Sequence, residues 1–145
     1  MNRSAIEAIV REVLQEELRR CGAPARHVDP SGVIQFDPAL IQVEPFPFPI
    51  DTDRVKLVDV LSIDESPRVG CGVMEVDRAQ LPWTLTYDEI DIVLEGTLDI
   101  IVDGRTTRAT AGQVIYIPKN TSVVFSARDK ARFVYVVYPA NWSEQ

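Results

Sequence analysis

The chain has 145 residues, of which 22 are acidic and 15 are basic, giving a formal net charge of −7. A chain of this length suits one domain that buries roughly two thirds of the surface exposed by its unfolded form. The acidic balance and the absence of any basic run argue against nucleic acid and anionic membranes as partners. No apolar run approaches the roughly 20 residues of a membrane span and no secretory signal is evident, so a cytoplasmic protein is expected.

Histidine and cysteine are scarce in this sequence. The single histidine is His27, and the two cysteines are Cys21 and Cys71. The cysteines lie far apart and fit no metal-ligand or redox spacing, so they are interpreted as reduced thiols. A transition-metal site needs several imidazoles or thiolates around one ion, and this chain does not supply them. We therefore expect no transition-metal cofactor.

The first predicted element is an amphipathic helix over residues 1–20. Ser4 and Glu7 have the spacing of a capping box, which predicts that the helix begins at Ser4. Apolar residues then recur at helical spacing on one face, namely Ile6, Ile9, Val10, Val13, Leu14 and Leu18. Such a face either folds back on its own domain, pairs with a copy of itself, or docks on another protein. Residues 21–32 carry two prolines and two glycines without an apolar period and are interpreted as a linker.

The remaining residues, 33–145, are predicted to form one all-β domain. Short apolar runs bounded by turn residues predict strands at 55–63, 70–76, 97–102, 105–108, 114–117, 123–126 and 133–138. Asp103 and Gly104 predict a type I′ hairpin between two of them. The prolines of residues 46–49 place that stretch at a sheet edge or against a neighbouring subunit. Many short strands without intervening helices favour a sandwich or barrel.

Two segments, residues 87–96 and 112–118, resemble the two sequence motifs of the cupin family. Glu89 and Gly96 have the spacing of the first motif, and Gly112 and Pro118 have that of the second. The resemblance implies a single cupin (RmlC-like jelly-roll) barrel in which Glu89 is the only retained metal-ligand position. The family's paired histidines correspond to Pro82 and Thr84 or, with a shorter spacing, to Trp83 and Leu85. Asn120 stands where the second motif has a glycine, and Val123 stands where that motif has its histidine.

A longer region, residues 33–142, resembles the EutQ family of ethanolamine-utilisation proteins. The resemblance is carried by residues 72–75, 81–91, 93–96 and 138–142. It implies an association with bacterial microcompartments. Residues 4–18 are similar to the encapsulation peptides that lay an apolar helix face on compartment shell proteins, so a shell protein is the implied partner. Longer members of the family carry a large additional N-terminal region, which this chain replaces with its helix and linker.

The candidate site residues are those that strand alternation turns toward the barrel interior. Glu89, Asp91 and Tyr87 share one face and are the predicted catalytic residues. Two neighbouring carboxylates repel, which predicts a raised pKa in one of them, suited to proton transfer or to a hard ion such as Mg²⁺. Alternatively, the two acids are structural and satisfied by nearby donors, or Asp91 faces a subunit contact. Further pocket candidates are Glu75, Trp83, Tyr116, Val123 and Phe125.

Two functions are compatible with these residues. The first is a metal-free accessory protein of a microcompartment, with a barrel cavity for a small metabolite and a helix for shell docking. The second is acetate kinase activity, which is credited to some EutQ proteins and requires Mg²⁺ and ATP. The sequence has no glycine-rich phosphate loop, and its candidate phosphate-neutralising residues are Lys56, Lys119 and Arg132. A homodimer is expected, because proline-rich edges invite pairing between subunits.

Overall fold

A computed structural model describes residues 2–20 and 25–145 of the chain. It divides into two compact units, Met1–Ile41 and Gln42–Gln145, which are described separately. Among the described residues, no helix combines the length and the apolar character that a membrane span requires.

The first unit begins with helix α1 (Arg3–Arg20). Its N-cap is Asn2, whose side-chain oxygen accepts a hydrogen bond of 2.8 Å from the backbone amide of Ala5. The predicted capping box at Ser4 is therefore wrong. Glu7 instead accepts a hydrogen bond of 2.8 Å from Arg3, which lies one helical turn earlier. The helix begins before Ser4 because an asparagine oxygen is available to cap it there.

The helix has an exposed apolar stripe. The side chains of Ile6, Ile9, Val10, Val13 and Leu14 are between 48% and 56% exposed. Leu18 belongs to the same predicted stripe, but its side chain lies outside the described part of the chain. The amphipathic helix predicted for residues 1–20 is thus present, with its apolar residues accessible along most of its length.

A short hairpin occupies part of the region predicted to be a linker. Strand β1 (Arg26–Val28) pairs antiparallel with β2 (Ile34–Phe36). The turn between them is held by Asp29, whose carboxylate accepts from the amide of Ser31 at 2.9 Å. The unit boundary falls after residue 41 rather than after the predicted 32, because this hairpin extends the first unit. Residues 21–24 of the predicted linker, including Cys21, lie outside the described residues.

The second unit is built from antiparallel strands. They are β3 (Glu44–Pro45), β4 (Val55–Asp59), β5 (Gly70–Leu85), β6 (Asp88–Glu95), β7 (Thr97–Val102), β8 (Arg105–Thr110), β9 (Val114–Ile117) and β10 (Thr121–Tyr138). Their order is β3-β4-β5-β10-β6-β9, with β7 paired to β10 and β8. A 3-10 turn, Trp142–Glu144, ends the chain. The predicted all-β architecture is confirmed.

Two long strands, β5 and β10, connect the sheet. They pair with each other over nearly their whole length, and β10 also pairs with β6 and β7. The sequence predicts two strands, 123–126 and 133–138, where the structure has the single strand β10. The register shifts between Ala127 and Lys130, where a bulge accommodates the polar residues that suggest a turn in the sequence.

Several turns depend on residues with positive φ. Asp103 and Gly104 have φ of 49° and 73°, as the predicted type I′ hairpin requires. Asn120 has φ of 66° at the position where the cupin motif carries glycine, and asparagine is one of the few residues that tolerate this region. Gly96 has φ of 75°, and a Cβ there would overlap the carbonyl oxygen of Lys130. The retained motif residues therefore have a backbone role.

The core lies between the inward faces of the strands. Its largest fully buried side chains are those of Phe125, Phe133, Leu81, Leu85 and Leu98. The two phenylalanines of residues 46–49 are partly buried and pack against this core, directly after the edge strand β3. Of the two predicted positions for this stretch, the edge position is the one observed.

Candidate functional site

A cavity opens into the core of the second unit. It is narrow: the space that the centre of a water molecule can occupy is about 20 Å³, within about 310 Å³ of space between atoms that includes open solvent. Its lining comprises six aromatic residues, four aliphatic residues and one acid, namely Phe48, Trp83, Tyr87, Phe125, Tyr135, Trp142, Leu57, Met74, Leu81, Val137 and Glu89. The acid lies on β6, and the other residues come from β4, β5, β10 and the loops around residues 48, 87 and 142. A single acid thus lies in an apolar and mostly aromatic wall.

The three predicted catalytic residues lie together in the interior. Tyr87 directly precedes β6, and Glu89 and Asp91 follow on the same face of that strand. Glu89 is 5% exposed and Asp91 is fully buried. Within the described residues, neither side-chain oxygen of Asp91 receives a hydrogen bond from a protein donor. A buried carboxylate without a donor is costly, so the protonation of this pair decides its stability.

Burial raises the pKa of both acids. The negative charge of Glu89 raises the pKa of Asp91 further. The two groups titrate as a coupled pair, and ionising both is disfavoured. A proton shared between the two carboxyl groups would relieve the cost of burying them.

Aromatic polar groups are held in place around these acids. The indole nitrogen of Trp83 donates to the hydroxyl of Tyr87 at 2.8 Å. The hydroxyl of Tyr135 and the indole nitrogen of Trp142 donate to the same Asp59 oxygen, at 2.6 Å and 3.2 Å. Burial raises the pKa of both tyrosines, so they stay protonated and act as donors. Asp59 thus fixes two rings of the cavity from the end of β4.

Glycine is required beside one of these rings. Gly72 on β5 is directly opposite Tyr135 on β10. A Cβ at Gly72 would overlap the Tyr135 hydroxyl and the carbonyl oxygen of Val58. The missing side chain lets the Tyr135 ring cross β5 and reach Asp59, a role that residues 70–76 of the sequence do not reveal.

Two predicted pocket residues point away from the cavity. The carboxylate of Glu75 accepts from Arg132 at 2.6 Å and lies 3.3 Å from the Lys130 ammonium. Tyr116 is 60% exposed, and its hydroxyl donates to Asp88 at 3.2 Å. Neither residue lines this cavity, because strand alternation turns their buried sequence neighbours inward instead.

The other pocket candidates lie in the interior. Trp83 and Phe125 line the cavity, and Val123 lies in the surrounding core without lining it. The sequence does not identify Phe48, Tyr135, Trp142 or Asp59 as site residues. Of these four residues, only Trp142 lies in a segment that carries the family resemblance. The other three reach the site through contacts between residues that are distant in sequence, which local sequence patterns do not reveal.

The donor set of the cavity does not fit a transition metal. Over residues 2–20 and 25–145, no three side chains of His, Cys, Asp or Glu come together as possible ligands. His27 lies in β1 of the first unit. The Glu89–Asp91 pair provides only two carboxyl groups, whereas transition-metal sites use three or four nitrogen, sulfur or oxygen ligands.

Comparisons with known proteins agree on one family. The family described as "Ethanolamine utilisation protein EutQ" matches residues 1–144. A Clostridioides difficile protein named "Acetate kinase EutQ" is 40% identical over the whole chain and 96% of its own length. An Escherichia coli protein of the same name is 44% identical over 61% of this chain, which corresponds to 38% of that protein.

Solved structures show the same relationship. The structure of Clostridium difficile EutQ has a TM-score of 0.79 and 44% identity, covering 83% of this chain and 90% of that one. A Salmonella typhimurium EutQ structure has a TM-score of 0.75 and 37% identity, covering 80% and 94%. An RmlC-like cupin from Shewanella frigidimarina has a TM-score of 0.56 at 15% identity, covering 72% and 88%, a likeness of fold alone. The predicted cupin barrel is confirmed.

The pH dependence of stability tests the shared proton. The pKa of Asp91 is raised well above its ordinary value of 3.8 in the folded protein. An acid with a raised folded pKa adds stability that is present below its unfolded pKa and is lost as the pH rises through the folded pKa. As the pH rises above 3.8, the unfolding free energy of wild type should therefore fall relative to that of Asp91→Asn. The expected fall is about 1–3 kcal/mol. Urea denaturation at several pH values measures this difference.

Asp99→Asn is a control whose effect on stability should change with pH in the opposite direction. Arg108 donates hydrogen bonds of 2.7 and 2.9 Å to Asp99, which lower the pKa of Asp99. A lowered folded pKa adds stability above the unfolded pKa, and this stability is lost as the pH falls through the folded pKa. Asp99→Asn should therefore differ from wild type most at neutral pH and least in acid. Parallel pH profiles for wild type and Asp91→Asn would contradict the shared proton.

Proposed function

Because the chain belongs to the EutQ family of ethanolamine utilisation proteins and folds as a cupin barrel, we propose that it is a metal-free protein that binds a small metabolite of this process. The observation that carries the proposal is the aromatic cavity with Glu89 as its one charged wall residue. Protein sites for small molecules combine an apolar pocket with a few converging polar groups, and this cavity has that composition.

Buried acids would not be favoured in an interior whose role is only to stabilise the fold. Burying an acid costs free energy unless donors satisfy it, and both side-chain oxygens of Asp91, which follows Glu89 on the same face of β6, lack a donor among the described residues. Three further polar side chains, Tyr87, Tyr135 and Asp59, are held in fixed positions around the cavity by hydrogen bonds. A ligand that completes the hydrogen bonding of Glu89 would offset the cost of burying it. We therefore assign Glu89, Asp91 and Tyr87 to ligand binding.

Helix α1 is proposed to place the protein in a microcompartment. Its apolar stripe, which includes Ile6, Val10 and Leu14, is exposed on the described helix. A helix of this kind binds a complementary apolar groove through residues spaced one turn apart. The proposed partner is a shell protein that contacts residues 4–18, and the support for this is the exposed stripe together with the ethanolamine-utilisation family.

Acetate kinase activity is a second candidate, favoured by the name of the Clostridioides difficile relative, which matches this chain over its full length. Phosphoryl transfer needs cationic groups around the phosphates. Among the described residues that line the cavity, none is cationic, and Lys56, Lys119 and Arg132 all lie elsewhere. Lys56 is in a surface depression together with Arg54, Arg78 and Lys130. A kinase mechanism would have to place the phosphates of ATP outside the cavity, with Mg²⁺.

Tryptophan fluorescence tests metabolite binding. The chain contains two tryptophans, and both Trp83 and Trp142 line the cavity. A saturable fluorescence change is expected on titration with at least one compound from a panel of two-carbon amines, alcohols and carboxylates that includes ethanolamine and acetate. Val137→Leu, which adds one carbon inside the cavity, should weaken binding by about tenfold.

Val136→Leu is the matched control, since Val136 is the next residue on β10 and faces the other side of the sheet. It should bind like wild type. A panel in which no compound changes the fluorescence would overturn metabolite binding in this cavity, and equal effects of the two substitutions would place the ligand elsewhere.

Removal of residues 1–20 tests the docking role of the helix. A fluorescent fusion of the full chain should co-localise with compartment shells in cells that make them, whereas the truncated fusion should be diffuse. Replacing Ile6, Val10 and Leu14 with serine in the intact chain should have the same effect, because it removes the apolar face. Entry of the truncated protein into compartments would show that the helix is not the docking element.

An assay for acetyl phosphate formation from acetate and Mg-ATP tests the kinase candidate. If the cavity performs this reaction, Glu89→Gln should abolish it and Glu95→Gln, an exposed residue on the same strand, should leave it unchanged. Purified wild type that forms no acetyl phosphate would remove the candidate.

A further inference from the structure

We propose that a surface depression beside strands β4 and β5 binds the phosphate group of a small ligand. Four cationic side chains line it together with three acids, and the cations are Arg54, Lys56, Arg78 and Lys130. The described lining of the aromatic cavity includes none of these cations, so the inference is independent of metabolite binding there. It concerns binding alone and does not require phosphoryl transfer.

One acid of the depression is already neutralised by cations. Glu75 on β5 lies opposite Lys56 on β4 and opposite Arg132 on β10 in the strand register. One Glu75 oxygen accepts from Arg132 at 2.6 Å and lies 3.3 Å from the Lys130 ammonium. The side chains of Glu75 and Arg132 are 15% and 9% exposed, so this ion pair is largely shielded from solvent. Glu75 therefore offers little repulsion to an incoming anion.

A second acid is engaged in the same way. Asp77 accepts a hydrogen bond of 3.0 Å from Arg78 and lies opposite Lys130 on β10. That hydrogen bond lowers the pKa of Asp77, and the positive charges of Arg78, Arg54 and Lys130 also lower it. Three cations of the depression therefore act on one carboxylate, which shows that they converge.

The backbone at Arg78 is strained, and its conformation adds a cation to the depression. Successive side chains of a strand point to opposite faces, yet Asp77 and Arg78 on β5 both line the depression. Arg78 has φ of 49°, in a region that residues with a Cβ rarely adopt. Strained residues of this kind are concentrated at ligand-binding and active sites. The conformation of Arg78 is thus a second observation that favours binding at this place.

Two cations of the depression stay outside its ion pairs. Over residues 2–20 and 25–145, neither Arg54 nor Lys56 forms an ion pair. When Arg132 is counted, five cationic side chains accompany three acidic ones, an excess of two positive charges. This excess is local, because the whole chain has a net charge of −7. A bound dianion would balance it.

A phosphate group matches these donors. A phosphate monoester carries roughly two negative charges at neutral pH and has three strong acceptor oxygens, whereas a carboxylate has a single charge. Guanidinium groups bind phosphate through parallel hydrogen bonds, and the lysine ammonium adds a point charge. The space that the centre of a water molecule can occupy in the depression is about 300 Å³, which admits a polyatomic anion. The depression therefore favours a phosphate group over a carboxylate.

The test is calorimetric titration of the full-length wild-type protein with inorganic phosphate, ethyl phosphate and acetate at equal, low ionic strength. Phosphate and ethyl phosphate should both bind saturably, and acetate should bind at least about tenfold more weakly. Tighter binding of ethyl phosphate would identify a phosphorylated metabolite as the source of the group. Equal or tighter binding of inorganic phosphate would identify the free ion.

Variants that remove one positive charge locate the site. Arg54→Gln and Lys56→Gln should each weaken phosphate binding by about tenfold, and neither substitution breaks an ion pair within the described residues. Arg105→Gln is the matched control, because it removes one positive charge from an exposed position outside the depression. This control should bind phosphate like wild type.

Several outcomes would overturn the inference. They are wild type that binds neither phosphate compound, acetate that binds as tightly as phosphate, and unchanged affinity in both Arg54→Gln and Lys56→Gln. Equal weakening in Arg105→Gln would also overturn it, since the effect would then come from net charge. None of the three variants alters a lining residue of the aromatic cavity, so these outcomes leave metabolite binding there unaffected.

Discussion

The arrangement of the barrel interior depends on two carboxyl groups that are buried beside each other with few other donors. Glu89 and Asp91 cannot both ionise in this environment, since burial and mutual repulsion raise the cost of the second charge. One proton shared between them would reconcile them with the core. The polar groups nearby are held separately, with Asp59 binding Tyr135 and Trp142, so that they do not compete for this proton.

Among the described residues of this cupin barrel, no three side chains of His, Cys, Asp or Glu come together. Gly96, which the motif retains, and Asn120, which replaces a motif glycine, both adopt positive φ and shape the turns. Val123 lies in the core where the motif carries a histidine. What remains inside is an acid surrounded by aromatic rings, which is suited to recognising a small molecule by hydrogen bonds and ring contacts. The helix of the first unit has an exposed apolar stripe.

Much of the fold and part of the site could be predicted from the sequence. Period-two alternation predicts the strands and the inward direction of Glu89 and Asp91, and the motif spacing identifies the barrel. Local sequence patterns did not predict the structure where the position of a residue depends on contacts with residues that are distant in sequence. The bulge in β10 looks like a turn, and Tyr116 resembles a pocket residue until its strand partners fix which face is inward. Trp142 enters the cavity from the end of the chain, and Gly72 matters only because Tyr135 crosses it.

The most direct test of the account is a pH titration of the carboxyl carbons of Glu89 and Asp91 by carbon-13 NMR. If the two carboxyl groups share a proton, at least one of them should titrate well above the ordinary range of a carboxyl group. Two carboxyl groups that both titrate near pH 4 would contradict the shared proton.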